Sequence, residues 1–339
     1  MRLIEAVFPS AKRDQVEKAV VEHEPADWRF SATEEADRAV LRAFFIEEGA
    51  QGLVDALQQI FGNGKDWRII VLPVEATAPK PDEKKEKKSE KPGPKNVALR
   101  EEIYNDVAAG AALNVDFFIL TLASTIVAAL GLNANNIAAV IGAMVIAPLL
   151  GPILAISLGA ALGDMRLLVR AGRNAIAGLA VGFVTATLIG LWFGANLDSV
   201  ELTSRTIVGL DSVVLALAAG VAAALSIVAG MPSALVGVMV AVALLPPAAA
   251  AGLFLGAGEV GYFGRALLLL TINVVCIMLA AQAVYILKGV RPRTWFEKKA
   301  AARASRINTL ALMVLLAVLV MIIVFAATGT APSVSGGAG

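Results

Sequence analysis

Seven long apolar stretches follow residue 114, at about Val115 to Leu132, Asn136 to Leu162, Leu167 to Gly194, Leu210 to Ala229, Pro232 to Ala257, Ala266 to Leu287 and Ile307 to Ala327. Each is near or above the roughly 20 residues that carry a helix across a bilayer. No soluble domain has that many stretches to bury. With 58% hydrophobic residues and a mean hydropathy of +0.73, the chain reads as an integral membrane protein of the multi-pass helical kind.

The stretches are not independent. "GAMVIAPLLGP", Gly142 to Pro152, returns as "GVMVAVALLPP", Gly237 to Pro247, at a shift of 239 − 144 = 95. The same shift pairs Asp116 with Asp211, Leu120 with Leu215 and Gly163 with Gly258, and about a third of positions 115–164 are identical to their partners. Internal self-similarity of this kind marks a duplicated unit. Three spans per copy would make the second copy enter from the opposite side, an inverted-topology repeat. Re-entrant proline segments would instead leave two crossings per copy and parallel repeats. Arginine placement favours full crossings. Arg100, the loop of Arg166, Arg170 and Arg173, and the loop from Lys288 to Arg306 then share one side, and positive residues favour the cytoplasmic face.

The prolines carry the functional argument. Pro148 offers no N–H to the carbonyl of Met144, Pro152 none to that of Pro148, and Pro246 and Pro247 free the carbonyls of Val242 and Ala243. Unpaired carbonyls in hydrocarbon are tolerated only inside protein or beside a wet cavity, and paired broken helices in transporters mark the substrate or ion site. The expected pathway comprises Met144, Pro148, Gly151, Pro152, Ser157, Val242, Ala243, Pro246, Pro247 and Asn273. The alternative is that the prolines only kink helices for packing. Asp116 and Asp211 each open a span, where a carboxylate favours a helix N-terminus or serves as one of two entrance groups. Asn133, Asn135 and Asn136 read as a polar turn and cap. Pairs such as Gly159 with Gly163, Gly178 with Gly182 and Gly252 with Gly256 fit close helix packing and an oligomer.

Residues 1–78 have a different character, with β-like and amphipathic segments in the order βαββαβ, the ferredoxin-like pattern. Residues 79–95 read as a disordered, lysine-rich linker and 96–114 as an amphipathic helix before the membrane. The membrane part divides into repeat 1 at 115–195, repeat 2 at 210–288 and a further C-terminal span at 307–327. The expected fold is therefore mainly α: a polytopic bundle of two three-span repeats behind a small α+β cytoplasmic domain. No basic-then-apolar leader opens the chain, so Met1 onward reads as mature sequence.

One histidine, His23, and one cysteine, Cys276, cannot build a metal site or a catalytic triad. "GNGKDW", Gly62 to Trp67, lacks the spacing of a P-loop. These features argue against an enzyme and call for no cofactor and no metal. A net charge of +1 gives no reason to expect nucleic acid, leaving lipids, a small solute or ion and further copies of the chain as partners.

The run "NNIAAVIGAMVIAPLLGPILAISLGAALGD", Asn135 to Asp164, with the arginines after it and the later "GVMVAVALLPPAAAAG", resembles the uncharacterised hydrophobic-domain family of prokaryotic membrane proteins, domain of unknown function three-eighty-nine. The resemblance covers about Val115 to Lys288 and implies a bacterial or archaeal membrane protein; with the span count, the expected location is the inner (plasma) membrane, crossed several times. It implies no substrate. Two readings stay open: a transporter or channel with paired proline-broken helices along its pathway, and a membrane-anchored sensor or scaffold whose soluble domain binds a ligand or partner.

Overall fold

The computed structural model describes residues 1–31, 37–46, 49–62, 64, 66–74, 77, 99–231, 233–290 and 308–322, with the backbone alone for 233–242. The expected linker at 79–95 lies outside the described residues. The chain divides into two compact units, Met1–Glu102 and Ile103–Gly339.

In the first unit, β1 (Arg2–Pro9), α1 (Arg13–Glu22), β2 (Asp27–Ser31), β3 (Arg38–Phe45), α2 (Ala50–Phe61) and β4 (Arg68–Pro73) follow one another. The strands form one antiparallel sheet in the order β2-β3-β1-β4, with Leu3 opposite Phe44 on one side and Leu72 on the other. Strand alternation decides which face is buried. Ile4, Ala6 and Phe8 of β1 and Leu41, Ala43 and Phe45 of β3 share a core with Val16 and Val20 of α1 and Leu53, Val54 and Leu57 of α2. Lys12 closes the far end of α2, its Nζ donating to the carbonyls of Ile60 and Phe61 at 3.0 and 3.2 Å. A cation at a helix C-terminus satisfies orphan carbonyls and opposes the dipole.

Helix α3 (Arg100–Gly110) begins in this unit. Arg100 pairs with Asp55 of α2 at 3.0 Å and with Glu101, and Gln51 donates to Glu101 at 3.1 Å. Burial pushes the Glu101 carboxyl up. The hydrogen bond and charge of Arg100, with the Gln51 amide, outweigh it and hold the carboxyl below its ordinary 4.5.

The second unit is helical: α4 (Val115–Asn133), α5 (Ile137–Ile146), α6 (Leu150–Leu162), α7 (Met165–Phe193), α8 (Val200–Thr203), α9 (Leu210–Val228), α10 (Ser233–Gly256), α11 (Val260–Leu287) and α12 (Asn308–Ile322). Four of these, α4, α7, α9 and α11, are long and apolar enough to cross a membrane by themselves, and α5 with α6 passes the same test as a bent pair. Between their ends, these helices expose large apolar residues, including Ile119 and Leu122 on α4, Val184 and Leu188 on α7, and Val214 and Leu215 on α9. That is the surface of a protein immersed in lipid. Helix α12 packs Leu312 and Leu319 against Ile272, Val275 and Cys276 of α11 and Ala216 of α9. Its Asn308 amide donates to Gln282 at 2.8 Å.

Small residues permit a close crossing of α7 and α10. A Cβ on Gly252 of α10 would lie 2.8 Å from the carbonyl oxygen of Phe183 and 3.0 Å from the amide nitrogen of Thr187, both on α7. Backbones approach this closely only without side chains between them.

Candidate functional site

The two proline motifs behave differently. In the first the chain leaves the helix: α5 ends at Ile146, Ala147 is extended (φ −69, ψ 122), and α6 restarts at Leu150 after a 51° bend. Pro148 is the cause. Its ring drives the preceding residue out of the helical region, and it supplies no N–H to the α5 ladder. Pro152 breaks nothing. It is the third residue of α6, inside the first turn, where a helix needs no N–H from it.

The second motif corrects the expectation of a second broken helix. Helix α10 runs unbroken from Ser233 to Gly256 with Pro246 and Pro247 inside it. The shift of 95 explains the difference, because it sets Ala243 where the first copy has Pro148, 148 + 95 = 243. The cost falls instead on a carbonyl. Pro247 gives Ala243 no partner, and Asn273 of α11 supplies one by donating from Nδ2 at 2.7 Å. Both prolines are buried. Val242 is described by its backbone alone, as part of α10.

One apolar cluster joins the motifs. Met144, Ala147 and Leu149 around the break share a core with Leu245, Ala249 and Ala250 of α10. Ser157 is buried on α6, and its hydroxyl donates back to the carbonyl of Ile153 at 3.1 Å. Asp116 and Asp211 are exposed residues in the first turns of α4 and α9, away from this cluster. The three asparagines hold loops. Asn136 caps α5 by accepting from the amide of Ala139 at 3.1 Å, Asn133 accepts from the amide of Asn196 at 2.6 Å, and Asn135 accepts from the amide of Glu201 at 3.0 Å.

Two residues that sequence reasoning passed over, Gly110 and Asn174, sit at the break beside the expected Gly151. Gly151, second residue of α6, lies so close to Gly110 at the end of α3 that a Cβ there would collide with the Gly110 carbonyl. Asn174 of α7, 2% exposed, donates from Nδ2 to the next carbonyl, that of Ala111, at 2.7 Å. Its Oδ1 is buried with no partner among the described residues. One turn further along α7, Gly178 faces Phe117 and the Leu149 side chain. The end of α3 is thus lodged against the break and tied there by Asn174. Nearer its start, Tyr104 donates to Asp164 Oδ2 at 3.0 Å, while Asp164 Oδ1 caps α7 by accepting from the amides of Arg166 and Leu167. Burial, then the bond to Asp164, pushes the Tyr104 phenol above its ordinary 10.0. An isolated amide in an apolar span was the one signal for Asn174, and Gly110 gave none.

Among the described residues no group of three or more His, Cys, Asp or Glu side chains is placed to hold a metal ion.

Residues 144–279, from α5 into α11, match the family model described as "Domain of unknown function (DUF389)". A relative from Methanocaldococcus jannaschii, "Uncharacterized protein MJ0678", is 36% identical over 254 residues, which is 75% of this chain and 78% of that one. The chain belongs to the DUF389 family. The matched segment contains Pro148, Pro152, Pro246, Pro247, Asn174 and Asn273, so the break lies within the region that matches the family. No solved structure matches the chain.

Proposed function

We propose that this DUF389 protein is an integral membrane transporter or channel for a small solute or ion, seen here closed, with its pathway at the α5–α6 break where that break meets α10. The observation that carries the reading is the 51° bend at Pro148, where Met144, Ala147 and Leu149 are buried against Leu245, Ala249 and Ala250 of the proline-bearing helix α10. Broken helices persist in lipid where they line a route or are sealed by protein. Here Gly110 and Ala111 provide the seal, and opening means withdrawing the end of α3 from Gly151.

A bend of 51° redirects a segment without reversing it, which supports a full crossing over a re-entrant hairpin. Helix bounds support the duplication: α4 at 115–133 recurs as α9 at 210–228, and α7 and α11 start at Met165 and Val260, each shifted by 95. The copies also exchange partners, α6 packing on α11 and α10 on α7. Three crossings per copy give inverted repeats, with the positive loops and the N-terminal unit cytoplasmic in a prokaryotic inner membrane. The strand order β2-β3-β1-β4 supports a ferredoxin-like topology for that unit, whose role in this reading is regulatory binding. Lipids, the solute and further copies are its partners; neither catalysis nor nucleic acid enters.

Flux from vesicles loaded with a panel of ions and small solutes tests the proposal. Pro148→Ala closes the break and is expected to abolish or strongly change flux while the protein still assembles. Unchanged flux reduces Pro148 to a packing kink.

One observation favours the scaffold reading. The Ala243 carbonyl is satisfied by Asn273, and the core that the break shares with α10 is apolar, as a dry core requires. In that case no solute crosses, and the N-terminal unit carries the activity.

A further inference from the structure

Arg166, Arg170 and Arg173 lie on one face of α7, within about 60° of its circumference at ~100° per residue, and all three are exposed. Among the described residues no carboxylate lies within ion-pair distance of any of them. The acidic group at this helix end, Asp164, is engaged by Tyr104 and by the backbone amides of α7. Beside the arginines runs a second exposed stripe, of Met165, Val169 and Ile176.

The length of α7 fixes where this face sits. Its 29 residues span about 43 Å at ~1.5 Å each, well beyond a hydrocarbon layer of roughly 30 Å. The far end carries Trp192, 86% exposed, followed by Phe193, the kind of aromatic pair that settles at a membrane–water interface. From Trp192 back to Arg173 is 192 − 173 = 19 residues, or about 28 Å, one hydrocarbon thickness. Arg173 then lies at the opposite boundary, with Arg170 and Arg166 above it at headgroup depth.

We infer that Arg166, Arg170 and Arg173 form a binding surface for the phosphate of anionic phospholipids, with Ile176, on the hydrocarbon side of Arg173, against the upper acyl chains. Guanidinium groups take phosphate oxygens in paired hydrogen bonds, and three cations at headgroup depth attract anionic lipid over zwitterionic. The surface is independent of the solute pathway and stands whether or not the chain transports anything.

The test is electron spin resonance of spin-labelled lipid in membranes containing the full-length protein, comparing phosphatidylglycerol with phosphatidylcholine. Wild-type protein is expected to hold several-fold more of the labelled phosphatidylglycerol, a preference that 1 M salt erodes. Each arginine changed to glutamine should lower it by up to about fivefold, with R166K/R170K/R173K retaining most of it and Arg265→Gln leaving it unchanged. If R166Q/R170Q/R173Q fails to assemble, the salt titration of the wild type and single R166Q carry the same comparison. No preference in the wild type overturns the inference, as does a preference that survives all three substitutions. Displacement of the labelled lipid by free glycerol phosphate would mark a soluble phosphate as the ligand. A changed particle mass at unchanged lipid preference would mark an acidic protein surface. Either overturns it too.

Discussion

Asn273 Nδ2 lies 2.7 Å from the carbonyl oxygen of Ala243, the acceptor that Pro247 leaves without an amide partner. The two residues sit on different helices, α11 and α10, so one helix repairs the ladder of another. Asn273→Leu leaves that carbonyl orphaned in an apolar core and is expected to cost about 1–2 kcal/mol. Pro247→Ala restores an N–H in the ladder, so in that background the same substitution is expected to cost little. Unfolding in detergent of the two single variants and the double variant measures the coupling, expected at about 1 kcal/mol. Additive effects would separate the bond from the proline.

Glycines in the membrane unit divide by what surrounds them. Gly252→Ala forces α7 and α10 apart and is expected to destabilise by roughly 1–3 kcal/mol. Gly142, on the exposed side of α5, has open space where a Cβ would go. There alanine is expected to be neutral or to stabilise by about 0.4–1 kcal/mol, through the unfolded chain. Thermal unfolding of the two variants in the same detergent checks the contrast.

The attachment of α3 to α2 is expected to be acid-sensitive. Because the Glu101 carboxyl is held below its ordinary 4.5, its contribution is complete above that value and is lost as pH falls through the lower, folded value. Arg100 stays cationic throughout. Protection of the first turn of α3 against amide exchange, taken relative to the intrinsic rate at each pH from 7 to 3, is expected to fall in that acid window. Glu101→Gln is expected to exchange faster at neutral pH and to lose most of the acid dependence.

Much of this fold was legible because its signals are local. Strand alternation set the core of the N-terminal unit, and Asn136 declared itself a cap by preceding an apolar run. The different fates of the two proline motifs were written at one aligned position, Pro148 against Ala243, but their similarity concealed it. Pro152 looked disruptive only because the start of α6 was unknown. Facing could not be read at all. Asn273 was named for the pathway, but that its Nδ2 donates to the Ala243 carbonyl follows from how α11 is turned toward α10. Asn174, Gly110 and Gly151 meet only when three helices pack, and no spacing in the chain encodes that.

Asn174 offers a way to loosen the seal. Asn174→Ala removes the hydrogen bond to Ala111 without touching the break itself, so it is expected to raise flux or leak while leaving the fold intact. Size-exclusion profiles and vesicle leak, measured together, check this.

The most direct test of the central claim is water access at the break. With Cys276 changed to serine, a cysteine at Ala147 becomes the only thiol, and its labelling by a membrane-impermeant reagent can be timed from each side. A pathway closed by the end of α3 predicts slow labelling that Asn174→Ala accelerates several-fold. No labelling from either side in both backgrounds, while a cysteine at Arg166 reacts readily, would contradict the account.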